Sequence, residues 1–72
     1  MRVWEREGYI VREVEFDYDL HEFEVVKDGE MIATITPADL DDMTDIVAAL
    51  DSGEDVEGWE DGMGNTISIP KN

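Results

Sequence analysis

At 72 residues the chain has room for one small domain, near the lower limit at which a core without staples holds itself together. Twenty Asp and Glu residues against five Lys and Arg leave a formal net charge of −15, and there is no cysteine. These values exclude disulfide and zinc–thiolate staples, argue against direct binding to nucleic acid or an anionic membrane, and point to basic partners.

The hydrophobic fraction of 42%, with Trp4, Tyr9, Phe16, Tyr18, Phe23 and Trp59, is too high for an acidic disordered tail. No apolar stretch matches a signal peptide or a membrane span, so residues 1–72 read as a single globular domain of the cytoplasm. There is no internal repeat and no low-complexity linker. Only the residues before Tyr9 and the final Lys71-Asn72 read as loosely tied.

From Tyr9 the pattern becomes alternating, with Ile10, Val14 and Phe16 assigned to an apolar face and Glu13, Glu15 and Asp17 to a solvent face. Arg12 interrupts the apolar set and is expected to snorkel or to pair with a carboxylate. After a connection at Asp17-Tyr18-Asp19-Leu20, residues His21 to Lys27 alternate again, with Phe23 and Val25 inward and Glu22 and Glu24 outward. Asp28-Gly29 is a strong hairpin signal before Met31 to Ile35. Three antiparallel strands in a meander are expected.

Thr36-Pro37-Ala38-Asp39 reads as a helix start, with Thr36 as the cap and Pro37 at the first helical position. Leu40, Met43, Ile46, Val47 and Leu50 form the apolar stripe, and Gly53 is the stop. Asp51 sits at the negative end of the helix dipole with no nearby lysine to offset it. Beyond the helix, Thr66 to Ile69 reads as a strand that Glu57-Gly58-Trp59-Glu60 pairs with across a glycine-rich loop, Trp59 serving as a core anchor. The fold class is therefore α+β: a three-stranded meander, one helix and a C-terminal strand or hairpin.

Catalytic chemistry finds little material here. His21 is the only histidine, Ser52 and Ser68 lie in no nucleophile motif, and a fold this small rarely encloses a dry pocket, so no enzyme is expected. Asp17-x-Asp19-x-His21 and the Asp51 to Glu57 cluster lack the glycine and glutamate positions of a calcium loop, so they read as polar turns and no metal or cofactor is assigned. Gly62-x-Gly64 is followed by no lysine and flanked by Glu60 and Asp61, which would repel a phosphate.

The acidic surface remains. Glu13, Glu15, Glu22 and Glu24 are placed together on the outward face of the first hairpin, with alternate residues about 6.8 Å apart along a strand. That is a several-ångström scale like that of phosphates on nucleic acid, which recur about every 3.4 Å of axis per strand. Asp17 and the helix residues Asp39, Asp41, Asp42 and Asp45 extend the array. Like charges directly opposed on a sheet are destabilising, so such an array calls for a reason.

Thr34-Ile35-Thr36-Pro37-Ala38-Asp39-Leu40 and Gly58-Trp59-Glu60-Asp61-Gly62-Met63-Gly64-Asn65-Thr66 resemble segments of small phage and prophage proteins. Size, acidity and the hairpin–helix plan are similar to those of anti-CRISPR and anti-restriction proteins that mimic DNA. The resemblance implies a stoichiometric inhibitor, in the host cytoplasm if phage-encoded, that occupies the nucleic-acid groove of a defence protein such as a CRISPR effector. It transfers no site residue, because those inhibitors share no common signature. The competing expectation is an acidic interaction domain whose scarce lysine and abundant aspartate are an adaptation to salty solvent. A weak cation-binding module is the third.

Overall fold

In the computed structural model, which describes residues 1–71, four strands form one antiparallel sheet in the order β1-β2-β3-β4. They are β1 (Val3–Arg6), β2 (Tyr9–Glu15), β3 (His21–Lys27) and β4 (Glu30–Ile35). Helix α1 (Leu40–Ser52) follows, and then a separate two-stranded sheet of β5 (Val56–Glu60) and β6 (Thr66–Ile69). The class is α+β, but the meander has four strands instead of three.

The added strand is β1. Glu7 and Gly8 adopt φ of 47° and 81°, the doubly left-handed geometry of a two-residue hairpin turn, and Asp28-Gly29 repeats it at 52° and 86°. The first turn carries glutamate where Asn or Asp is usual, so its signal in the sequence is weaker. Trp4 faces Val11 in the register, and its ring lies 6.1 Å from that of Phe23. Residues 3–6 are therefore structural, and Lys71 is also tied, donating its amide to Asp55 Oδ1 at 2.6 Å. Asn72 lies outside the described residues.

The face assignment of β2 is reversed. Val11 and Glu13 point into the molecule, Ile10 and Val14 lie on the other face, and Phe16 is 53% exposed beyond the strand. The strand is apolar on both faces, so alternation alone does not choose between them. Burial of Glu13 is made tolerable by its partners, described below.

The inward core joins Val11, Phe23, Val25, Ala33 and Ile35 of the sheet to Ile46 and Leu50 of the helix and to Val56 and Ile69 of the hairpin. Trp59 packs against this core, as its anchoring role requires. The Asp61 carbonyl accepts the Thr34 amide at 3.1 Å, so the β5–β6 loop shields part of the β4 edge.

Helix α1 starts three residues later than Thr36 suggests. Asp39 is extended (φ −157°, ψ −178°) and its side chain accepts the Asp42 amide at 2.9 Å, while Thr36 turns away to donate to Glu22 Oε2 at 2.8 Å. Leu40 begins the helix but is 48% exposed, so it does not belong to the core stripe. At the other end Gly53 is left-handed at φ 79°; its amide bonds to the Leu50 carbonyl and the Glu54 amide to the Ala49 carbonyl, at 3.4 and 3.0 Å.

Candidate functional site: an acidic cup beside the helix N-terminus

Four of the nine carboxylates assigned to a binding surface leave it or are already engaged. Glu13 is buried: its Oε2 lies 2.8 Å from His21 Nδ1, and its Oε1 accepts the Arg2 amide at 3.2 Å. Burial pushes the Glu13 carboxyl up, but the hydrogen bonds and charges of His21 and Arg2 outweigh it and hold the pKa below its ordinary value. Glu15 lies at the end of the same strand face as Glu13, opposite His21 in the register. Glu22 and Glu24 occupy the other face, where Glu22 accepts from Thr36 and Glu24 pairs with Arg12 at 3.1 Å. The hairpin thus presents no four-carboxylate ladder, because the pleat puts Glu13 and Glu15 on one side and Glu22 and Glu24 on the other.

Three of the remaining five come together elsewhere. The β2–β3 connection is closed by amides of Phe16 and Asp17 donating to the Leu20 carbonyl at 3.3 and 3.0 Å. Asp17 Oδ1 accepts the Tyr18 amide at 2.9 Å, and Tyr18 is 99% exposed. This connection stands beside the start of α1. Between them lies an open depression of about 520 Å³, whose wall includes Asp17, Asp19, Asp39 and Asp41 and whose apolar part is Leu20, Ala38, Leu40 and Tyr18.

The convergence of Asp17, Asp39 and Asp41 keeps three of the expected binding residues in one place and adds Asp19. Asp42 and Asp45 lie along the same helix. Asp41 and Asp45 stand one turn apart, a like-charge spacing that costs a helix a few tenths of a kcal/mol. Asp39 is partly committed as the cap; the side chains of Asp17 and Asp41 are solvent-exposed.

The molecule does little to neutralise these charges. Arg12–Glu24 and His21–Glu13 are the side-chain ion pairs among the described residues. Arg6 is given to backbone carbonyls of the helix end, and Lys27 lies 4.3 Å from the centre of the Tyr9 ring and donates to the Glu7 carbonyl at 2.9 Å. The cup therefore has no cation of its own.

His21 faces Glu13 and not Asp17 and Asp19, and among the described residues no group of three His, Cys, Asp or Glu side chains is disposed to hold a metal ion. No described helix is long and apolar enough to cross a membrane. Comparisons with protein-family models, with curated proteins and with solved structures find no match.

Tyr18, Asp19 and Leu40 are the residues the sequence did not place in the site. An exposed Tyr between two aspartates, close in space to a helix-start leucine, is visible only once the connection and the helix are folded against each other.

Proposed function

We propose that the chain is a non-catalytic binding protein of the nucleic-acid-mimic type, whose acidic cup enters the basic groove of a nucleic-acid-binding protein, a defence effector being the favoured class. The carrying observation is the convergence of Asp17, Asp19, Asp39 and Asp41, from two separate segments, in an open depression that also contains Leu20, Ala38, Leu40 and a fully exposed tyrosine. Carboxylates beside apolar side chains match an Arg or Lys side chain, which has a charged head and an aliphatic stem. Aromatic residues that are exposed in the free protein are frequent anchors of protein interfaces.

The cup differs from a catalytic pocket in being broad and open, and it brings neither His21 nor a serine to its carboxylates. Its acids act by field and by contact: they draw in a cationic surface and set its register, while Tyr18 and Leu40 supply contact area.

The test is capture of partners from a host lysate, followed by competition against that partner's DNA or RNA. The wild type should displace nucleic acid stoichiometrically, and the Asp17→Asn, Asp19→Asn, Asp41→Asn triple variant should lose at least about tenfold in affinity. Asp39 is left in place because it caps the helix. Capture of no nucleic-acid-binding protein, or full competition by a folded triple variant, would refute the reading.

A further inference from the structure

The two edges of the four-stranded sheet differ in how they discourage another strand from adding. β1 is four residues long and carries Glu5 and Arg6, so it is short and charged. β4 has six residues, and after Glu30 the run Met31-Ile32-Ala33-Thr34-Ile35 holds no charge and is rich in β-branched side chains. Left uncovered, such an edge is a template for pairing with another chain.

We infer that the β5–β6 loop, residues 61–65, is a guard that keeps the β4 edge from accepting a strand, and that its seating depends on Gly62. Thr34 turns both of its backbone groups to this loop. Its amide donates to the Asp61 carbonyl at 3.1 Å, and its carbonyl oxygen lies 3.1 Å from the point where a Cβ on Gly62 would stand. Gly62 also sits at φ 84°, so both the backbone geometry and the close approach call for glycine. The loop is held in shape from within. Asp61 Oδ1 accepts the amides of Met63 and Asn65 at 2.8 and 3.2 Å, and the Asp61 amide donates to the Asn65 carbonyl at 2.9 Å. One residue thus shapes the loop with its side chain and holds the edge with its carbonyl.

Gly64 supplies an internal control. It lies in the same loop at φ 91°, but a Cβ there would meet nothing within 4 Å. Alanine at either position bears the cost of a left-handed backbone, and only alanine at position 62 also presses on β4. The net charge of −15 opposes contact between copies of the chain, so the guard matters most where salt screens that repulsion.

Residue-resolved hydrogen exchange followed by NMR tests this. The Thr34 amide should be protected in the wild type and in Gly64→Ala, and should exchange at least about tenfold faster in dilute Gly62→Ala. In about 0.5 M salt Gly62→Ala should self-associate as its concentration rises, and the Thr34 amide should regain protection as another strand takes it. The wild type and Gly64→Ala should stay monomeric in sedimentation equilibrium under the same conditions. Asp61→Ala keeps the glycine but removes the acceptor that shapes the loop, and should behave like Gly62→Ala; it decides the matter if circular dichroism shows Gly62→Ala unfolded. Unprotected Thr34 in the wild type, identical behaviour of the two glycine variants, or folded Gly62→Ala and Asp61→Ala chains that stay monomeric in salt would overturn the inference.

Discussion

Arg6, on the first strand, donates from Nη2 to the carbonyl of Leu50 in the last turn of the helix at 2.9 Å. Arg6 is 5% exposed, and its guanidinium also reaches the carbonyls of Ala49, Glu54 and Pro70. It thus joins β1, the helix end and the end of β6, and it supplies the positive charge that the last helical turn itself lacks. Asp51, badly placed by sequence, is stabilised in the same region by the Trp4 indole, which donates to Oδ1 at 2.8 Å.

Replacing Arg6 with Met should leave those buried carbonyls without their donor and cost about 3 kcal/mol. In a domain of this size that corresponds to a fall in Tm of more than about 10 °C. Arg6→Lys keeps the charge but not the planar fork and should lie between the two. Thermal melts followed by circular dichroism decide it, and a loss under about 0.5 kcal/mol for Arg6→Met would show that the carbonyls find other donors.

The Glu13–His21 pair makes a prediction about acid. The folded pKa of Glu13 is depressed, so the folded state binds this proton less readily than the unfolded chain. Its contribution is present above the ordinary value of 4.5 and is lost as the pH falls through the depressed one. Glu13→Gln should therefore be less stable than wild type at neutral pH, with the difference shrinking below pH 4.5. Exposed carboxylates titrate in both proteins and cancel in the comparison. A gap that stays constant into strong acid would mean that Glu13 acts only through packing.

Ile46 and Leu40 test which residues hold the helix. Ile46 is fully buried, and Ile46→Ala should cost about 2–5 kcal/mol. Leu40, at 48% exposure in the wall of the cup, should tolerate Asp within about 0.5 kcal/mol. A large loss of stability for Leu40→Asp in a denaturant titration would return this residue to the core.

Those two residues also mark how far the sequence could be read. The helix period and Gly53 mark the body and end of α1, and Asp28-Gly29 marks the β3–β4 hairpin, because each depends on local geometry. Leu40 was misassigned because the cap is Asp39 and not Thr36, which moves the helix start without disturbing its apolar spacing. Glu13 was misplaced because β2 is apolar on both faces and the carboxylate's partners, His21 and the Arg2 amide, come from outside the strand. The cup was half legible: its helix aspartates stand out, but the approach of residues 17–20 is a tertiary event.

Salt separates the function proposed here from adaptation to brine. The core is complete among the described residues, and no buried polar side-chain atom there lacks a partner, so the domain should fold cooperatively in dilute buffer. Screening of exposed carboxylates should then raise Tm as salt approaches about 0.15 M, where the Debye length is about 8 Å. Melts from dilute buffer to molar salt check this. A chain that is unfolded until molar salt is added would favour the halophilic reading over the mimic.

The cup predicts a division of labour in binding that rate measurements expose. Asp17, Asp19 and Asp41 line it and should act mainly through long-range attraction, so changing them to Asn should slow association with the captured partner and flatten its dependence on salt. Tyr18 and Leu40 carry no charge and should act after contact. Tyr18→Ala and Leu40→Ala should leave the association rate within about threefold of wild type and speed dissociation at least about tenfold. Surface plasmon resonance at several salt concentrations reads both rates on the same variants. If instead Glu22→Gln and Glu24→Gln slow association as much as the cup variants do, the partner is steered by the whole acidic surface and the cup loses its special place. If Tyr18→Ala changes neither rate, the exposed ring is not an anchor, and the contact must be sought elsewhere along the helix, at Asp42 and Asp45.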